Sequence, residues 1–439
     1  MKYWLIPLVA FGLAAQDHPP KLKIQTTELP NGLKLVMSED HSRPVINLQV
    51  WYHVGSKDER TGRTGFAHLF EHLMFRGSKN VGPEEHMKYV REAGGVVNAY
   101  TTFDQTVYWE SFPSNYLERM LWLEADRMSS LVINQENFQK EREVVKEERR
   151  LRFENPPYGM ISDELWGMEF KEYPYKHAPI GSMEDLNKAT PADVQEFFNT
   201  YYVPNNATVV IVGDFDGPDA VAWAKKYFGQ VPKSKNPVPR VTATEPAQTE
   251  LREFTKNYAN IPLPAVLNLY HLPPMGNPDS YALDITSRIL SSGQSSRLYK
   301  RLVYDEQAAV QASGQSFFLE GPSLFFGIAI ANQGKNIKEV GSSMAYVFEQ
   351  VRKEPVTNEE LTKAKNQTVA TFITGAQTMQ QKADNLGRMA VLQGNPELVN
   401  TELDKYQKVT AADVQKVAQK YLVDTNETRI WVYPEQGKK

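Results

Sequence analysis

The strongest constraint on how this chain can fold is that its end repeats its middle. The octet Lys188-Ala189-Thr190-Pro191-Ala192-Asp193-Val194-Gln195 returns near the C-terminus as Lys408-Val409-Thr410-Ala411-Ala412-Asp413-Val414-Gln415. The register then continues without a gap, pairing Tyr201 with Tyr421, Val203 with Val423, Asn206 with Asn426, Thr208 with Thr428 and Val212 with Val432. Each copy reads as a helix capped by threonine, with aspartate in its first turn, leading into a strand. A duplicated unit of about 200 residues is a domain by size. The chain therefore divides into two homologous domains, 22–230 and 251–439, joined over 231–250, where Pro232, Pro237, Pro239 and Pro246 punctuate a polar stretch.

Composition narrows the class without choosing within it. With 439 residues and 41% hydrophobic content the chain can build ordinary globular cores, of α+β or α/β type. A net charge of −4 and the lack of a basic tract give no reason to invoke nucleic acid. There is no cysteine, so neither disulfides nor thiolate ligands contribute, and any metal site must be built from nitrogen and oxygen. At the N-terminus, Met1-Lys2 precedes an apolar run from Tyr3 to Ala15 that ends in small residues and turns polar at Gln16. This is the anatomy of a secretory signal peptide over 1–15, too short to span a membrane. The first twenty residues contain no arginine, which a mitochondrial presequence would carry. The segment predicts export, to a bacterial periplasm or cell envelope.

The chemistry is concentrated in His68-Leu69-Phe70-Glu71-His72. Residues four apart share a helix face, so His68 and His72 can present two imidazole nitrogens to one metal ion. Glu71 projects near that face, placed to take a proton from a metal-bound water rather than to bind the ion itself. The order H-x-x-E-H inverts the commoner zinc helix H-E-x-x-H. Its flanks, Gly65-Phe66-Ala67 and Leu73-Met74-Phe75, are apolar, and buried His and Glu side chains need partners. A third ligand is expected from the charged helix Gln139 to Arg152, whose main apolar points are Val144 and Val145. The spacing alone does not choose among its glutamates.

That helix carries Glu141-Arg142-Glu143-Val144-Val145-Lys146-Glu147-Glu148, and an earlier segment reads Gly94-Gly95-Val96-Val97-Asn98-Ala99-Tyr100-Thr101, then Asp104-Gln105-Thr106-Val107-Tyr108. On its own, the second segment is two β-rich runs around a turn at Thr102 to Gln105. Together with H-x-x-E-H these motifs resemble those of the pitrilysin-type, insulinase-like inverzincin metallopeptidases, in particular the branch of the mitochondrial processing peptidases. The resemblance implies that Glu148, at the family's distance from His72, is the third ligand to one Zn2+ per chain. It makes Glu141 an acidic partner behind a ligand. It also implies that Asn98, Ala99, Tyr100 and Thr101 form an exposed edge strand to which a peptide substrate adds as a further strand. Fold and activity follow by the same resemblance. Each half is an α+β domain, a mostly antiparallel sheet with helices packed on it, the two arranged as a clamshell around a chamber, and the reaction is zinc-dependent hydrolysis of peptides or unfolded polypeptides.

The second half lacks this chemistry. In the register of the repeat His68, Glu71 and His72 fall opposite Arg288, Ser291 and Ser292, and His271 is the second half's one histidine. Relatives active as single chains carry an arginine and, seven residues later, a tyrosine that polarise substrate, and here those positions are Val303 and Val310. Arg297 and Tyr304 have the same spacing but are out of register. The resemblance then implies a homologous partner subunit that supplies the missing pair. The alternatives are a homodimer using Tyr299, Arg301 or Tyr304, and a zinc- and peptide-binding scaffold component with little turnover.

Overall fold

Strand alternation sets the architecture. Along Val45–Tyr52, Ile46, Leu48, Val50 and Tyr52 enter one apolar core, while Trp51 enters another on the opposite face of the sheet. Both faces of this sheet are therefore covered, a fact that organises the whole molecule. The computed structural model describes residues 18–435, so the signal-peptide reading over 1–15 lies outside the described residues.

The first half contributes strands Gln25–Glu28 (β1), Lys34–Glu39 (β2), Val45–Tyr52 (β3), Val96–Thr101 (β4), Thr106–Pro113 (β5) and Ala207–Gly213 (β6). Its helices are Phe66–Leu73 (α1), Glu85–Glu92 (α2), Leu117–Ser130 (α3), Gln135–Arg149 (α4), Gly159–Glu169 (α5), Met183–Lys188 (α6), Pro191–Tyr201 (α7) and Gly217–Phe228 (α8). The second half adds strands Arg252–Tyr258 (β7), Ala265–Leu272 (β8), Ala309–Phe317 (β9), Ser323–Ala331 (β10) and Glu427–Pro434 (β11). Its helices are Pro278–Ser291 (α9), Ile337–Lys353 (α10), Asn358–Thr374 (α11), Met379–Leu392 (α12), Glu402–Gln407 (α13) and Ala411–Tyr421 (α14). The sheets run β1-β2-β6-β3-β5-β4 and β7-β11-β8-β10-β9. In each, one parallel pair (β2 with β6, β7 with β11) interrupts an otherwise antiparallel order. This is an α+β fold of two homologous halves.

The repeat is realised bond for bond. Thr190 and Thr410 cap α7 and α14 through boxes closed by Asp193 and Asp413. Beyond the helices, the Asn206 carboxamide donates to Tyr201 O (2.8 Å), as that of Asn426 does to Tyr421 O (2.7 Å).

The outer face of each sheet is covered by a helix from the other half. Met379, Ala383 and Leu386 of α12 pack on Val36, Trp51, Val107, Val210 and Val212 of the first sheet. Reciprocally, Ile161, Leu165 and Trp166 of α5 pack with Leu267, Leu269, Leu324, Ile430 and Val432 of the second. The exchanged helices begin at Gly159 and Met379, which are themselves matched positions of the repeat. Gly387 lets α12 approach closely, since a Cβ there would overlap the Trp51 ring. The halves thus meet through packed helix-on-sheet layers.

Between Phe228 and Arg252 there is no helix or strand. Yet Arg240 in that stretch donates to His53 O (2.8 Å) and Asn206 Oδ1 (2.6 Å), and Glu245 accepts from the backbone of Lys171, Glu172 and Tyr173. Among the described residues, no helix is long and apolar enough to cross a membrane.

Candidate metal centre

The H-x-x-E-H segment is α1, only eight residues long, and a helix this short depends on its ends. Its N-cap is Gly65, whose φ of 89° suits glycine, and a Cβ there would lie 2.6 Å from Ile180 O. Glycine has no capping side chain. The buried carboxylate of Glu59 does that work instead, accepting from Gly65 N (2.8 Å) and Ala67 N (2.7 Å). Nothing local in the sequence marks Glu59, because it reaches the helix from a preceding loop.

His68 is buried and His72 half-buried, their ring centroids 4.9 Å apart on one helix face. Glu148, near the C-terminus of α4, closes the group. Its Oε2 lies 3.2 Å from His72 Nε2 and 3.7 Å from His68 Nε2. One donor atom from each of the three side chains falls within 4.8 Å of the others. Behind them, Glu141 Oε2 lies 3.3 Å from His72 Nδ1, two helical turns before Glu148 on the same face of α4. Arg76 bonds the other oxygen of Glu141, and Arg152 Nη1 lies 2.9 Å from Glu148 Oε1. Each arginine stands four residues after a member of this group, Arg76 after His72 and Arg152 after Glu148, a spacing that could have revealed both. Sequence reading missed them.

Of the two valines that are the main apolar points of this helix, only Val145 is buried, and Val144 is 45% exposed. The buried stripe of α4 runs through Phe138, Glu141, Val145 and Arg149, and Val144, about 100° round the helix from Val145, lies outside it. Regular α-helix ends at Arg149, and the chain continues in a π-helical turn through Glu154.

The two imidazoles are shifted in opposite directions. Burial pulls the His72 imidazole down, but its bonds to Glu141 and Glu148 outweigh this and raise it to about 9. Burial, then neighbouring His72, lowers His68 to about 4. Its hydrogen bond with His72 holds Glu148 below the ordinary carboxylate range. Burial pushes Glu71 upward. The donor set suits a divalent cation of the zinc type, with two imidazoles and a carboxylate. The nitrogens turned towards the group are the Nε2 atoms of both rings, 3.7 and 3.2 Å from Glu148 Oε2.

The segment predicted as a substrate strand is β4, paired in register with β5 around the expected turn at Thr102–Gln105. It is the last strand of its sheet and pairs, among the described residues, with β5 alone. Its side chains divide between two faces. Ala99 packs into the core shared with α1, and Thr101 Oγ1 donates to Glu71 Oε2 (2.6 Å). Tyr100 packs edge-on against Trp51 on the opposite face, and Asn98 is exposed, its Oδ1 accepting from Ala99 N. What the four residues share is a backbone edge.

In the second half the equivalent face is filled differently. Arg288 pairs with Asp284 (3.3 Å), and the Ser291 hydroxyl lies 2.7 Å from Gly314 O of β9. Val303 packs on the second core, while Val310 is exposed on β9. Arg297 is committed to Glu360 by two bonds of 2.7 and 2.9 Å, and Arg301 to Ser343 and Glu306. Tyr304 is exposed.

Comparison with known proteins agrees with this division. Residues 34–174 match the family model described as insulinase (peptidase family M16), and residues 188–368 match the one described as the peptidase M16 inactive domain. The chain is 32% identical to the zinc protease PqqE of Helicobacter pylori, over 98% of this chain and 97% of that protein. It is 23% identical to a probable mitochondrial-processing peptidase subunit beta of Arabidopsis thaliana, over 94% of this chain and 79% of that one. A solved protease from Helicobacter pylori superposes with a TM-score of 0.89 at 31% identity, covering 94% of this chain and all of that one. With a two-domain match and a full-length relative at this identity, the chain belongs to the M16 family of pitrilysin-type zinc proteases.

Proposed function

We propose that this chain is a zinc metalloendopeptidase acting on peptides or unfolded polypeptides, with His68, His72 and Glu148 as ligands and Glu71 as general base. The observation that carries the reading is the convergence of those three donors beside a glutamate whose second oxygen is unengaged. Bound there, zinc would polarise the scissile carbonyl and acidify the attacking water. The protein's own groups do the rest. Thr101 holds Glu71 through Oε2, and Oε1 makes no hydrogen bond among the described residues, so it is available for a proton. Glu71 takes that proton as the water oxygen bonds to the carbonyl carbon, and returns it to the amine nitrogen as the C–N bond breaks. Glu141 orients His72 through Nδ1, and Arg76 and Arg152 fix the two carboxylates behind the site. The free edge of β4 aligns the peptide main chain, which favours extended, unfolded segments over any one side chain.

A homologous partner subunit completes the site in this reading. It is favoured by Val303 and Val310, neither of which can donate a hydrogen bond to a carbonyl or oxyanion, where one donor is typically worth about 2.7–4 kcal/mol. The same two residues favour the second reading, a zinc- and peptide-binding scaffold component with little turnover. The apolar N-terminal segment supports export to the periplasm or cell envelope.

The test is cleavage of a quenched, mixed-sequence peptide pool by the zinc-loaded mature chain, with Glu71→Gln as the blank. Turnover above the blank makes the chain a self-sufficient peptidase. No turnover from zinc-loaded protein, restored by a homologous subunit, establishes the paired enzyme. No restoration by any such subunit leaves the scaffold reading.

A further inference from the structure

A second convergence of metal-ligating side chains lies in the core of the first half. His86 on α2, Glu110 on β5 and Glu124 on α3 are 4%, 0% and 1% exposed. His86 Nε2 lies 3.5 Å from Glu110 Oε2 and 3.7 Å from Glu124 Oε1, and one donor atom from each residue falls within 4.8 Å of the others. His86 Nε2 and both oxygens of Glu110 are buried with no hydrogen-bond partner among the described residues. We propose that His86, Glu110 and Glu124 bind a divalent transition-metal cation, a buried structural site separate from the one on α1 and α4.

Donors about 2.0–2.2 Å from a tetrahedral ion stand roughly 3.3–3.6 Å apart, and the separations here are close to that. They also resemble the 3.2 and 3.7 Å of the outer cluster. A proton shared between Glu110 and His86 is the competing arrangement. It would call for an O···N distance nearer about 2.7–2.9 Å and would leave the second Glu110 oxygen unpaired in an apolar core. A cation satisfies His86 Nε2 and both Glu110 oxygens at once, while Arg127 Nη1, also buried without a partner among the described residues, is a donor that the ion leaves as it is. Three donors, one from each residue, leave one position of a tetrahedral ion, and both oxygens of Glu110 are unengaged among the described residues.

The surroundings are those of a supported ligand set. Arg127 donates to both oxygens of Glu124, the Nε bond being 2.9 Å, as Arg152 supports Glu148 in the outer cluster. Asp126, beside Arg127 in sequence, accepts from Asn80 (2.6 Å) and Ser78. With a divalent ion the three carboxylates and the guanidinium sum to neutrality, and the imidazole stays uncharged. Without one, burial pushes Glu110 up to about 8, and burial followed by the charge of Arg127 pushes His86 down to about 3. The ion would cross-link α2, α3 and β5. Since β5 is the only partner of β4 among the described residues, it would anchor from inside the core the hairpin whose free edge faces outward.

The test is metal content of the full chain, saturated with Zn2+ and dialysed, for wild type, His72→Ala and Glu110→Gln. Glu110→Gln is expected to hold one equivalent fewer than wild type, while His72→Ala keeps the inner equivalent. This result does not depend on whether the outer cluster is catalytic. Equal metal in Glu110→Gln and wild type, or no metal in either, overturns the proposal. Should the glutamine variant fail to fold, anomalous scattering at the zinc edge from wild-type crystals decides instead. A peak among the three side chains supports the site, and its absence overturns it.

Discussion

Residue 71 is a glutamate that takes a hydrogen bond from Thr101 on the edge strand of the first sheet, and the residue at the same place in the second half is Ser291, bonded to Gly314 on the edge strand of the second. Both tie a helix to the strand beside it. The serine shares its single proton between Ser287 O and Gly314 O, whereas the carboxylate keeps an oxygen to spare. The same contrast holds nearby. Arg288 and Ser292 stand opposite His68 and His72, and Thr368, whose hydroxyl bonds back to Ala364 O, stands opposite Glu148. The duplicated architecture is thus indifferent to the chemistry. What distinguishes the halves at this face is a few polar side chains on one pair of helices, while the strands β2, β3, β5 and β6 and the Thr190 cap recur as β7, β8, β10 and β11 and the Thr410 cap.

Substitutions at matched positions should therefore have very unequal effects. The largest is expected at the ligands. His72→Ala or Glu148→Ala should abolish zinc binding at the outer cluster together with peptide turnover, while Ser292→Ala changes neither. Metal analysis of the three variants checks this, and full zinc occupancy in either ligand variant would remove that residue from the set. Next, Glu71→Gln should keep its zinc but lose turnover by roughly 10²–10⁴-fold. Ser291→Ala should leave turnover intact and cost about 1 kcal/mol of stability from the lost hydrogen bonds. Wild-type cleavage by Glu71→Gln would show that another group takes the proton.

A smaller asymmetry concerns the exchanged helices, whose glycines Gly167 and Gly387 are also matched by the repeat. A Cβ at Gly387 would overlap the Trp51 ring, whereas one at Gly167 meets Lys176 O at 2.9 Å. Gly387→Ala should destabilise by about 1–3 kcal/mol through overpacking. At Gly167, the helix propensity gained by alanine, about 1 kcal/mol, should offset a milder clash. Urea midpoints of both variants measure the difference, and equal midpoints would mean that Gly387 is no more tightly packed on Trp51 than Gly167 is on Lys176 O of its own half.

The smallest effects should appear in the pH dependence of stability, at two carboxylates where the halves meet. Glu320 reaches into the first half. Burial pushes it up, but His53 and Lys57 hold it down to about 2, below its ordinary 4.5. Its contribution is complete above about pH 4.5 and fades as pH falls towards 2. Glu169, at the end of α5, faces the second half, and burial raises it to about 7. The folded chain then binds a proton that the unfolded chain releases, so its contribution is complete below about 4.5 and declines as pH rises to 7. Glu320→Gln should flatten the stability profile in the lower window and Glu169→Gln in the upper, as read from urea midpoints against pH. A profile unchanged by either variant would show that the carboxylate does not link the halves.

Much of this was legible from residue order because it obeys periodic rules. Spacings of four and seven along a helix put His68 with His72 and Glu141 with Glu148, and the ungapped register of the repeat announced both caps and the paired asparagines. Resemblance supplied the choice of Glu148, which spacing could not make. Illegible were relations between distant segments, such as the Glu59 cap of α1, the bond from Thr101 to Glu71 and the mutual covering of the sheets by α5 and α12. The exposure of Val144 was not legible either, since an apolar residue on a charged helix need not lie on its buried stripe.

By itself, then, the sequence determined two homologous halves, the helix bearing His68, Glu71 and His72, and a second half without that motif, because each is written in local spacing or self-similarity. Only the tertiary structure decided how the halves interlock and which of its buried charges converge. His86, Glu110 and Glu124 sit on three different elements, and such side chains become neighbours only when those elements pack. Packing is governed by the shape and apolar area of whole surfaces, and no short run of residues encodes it.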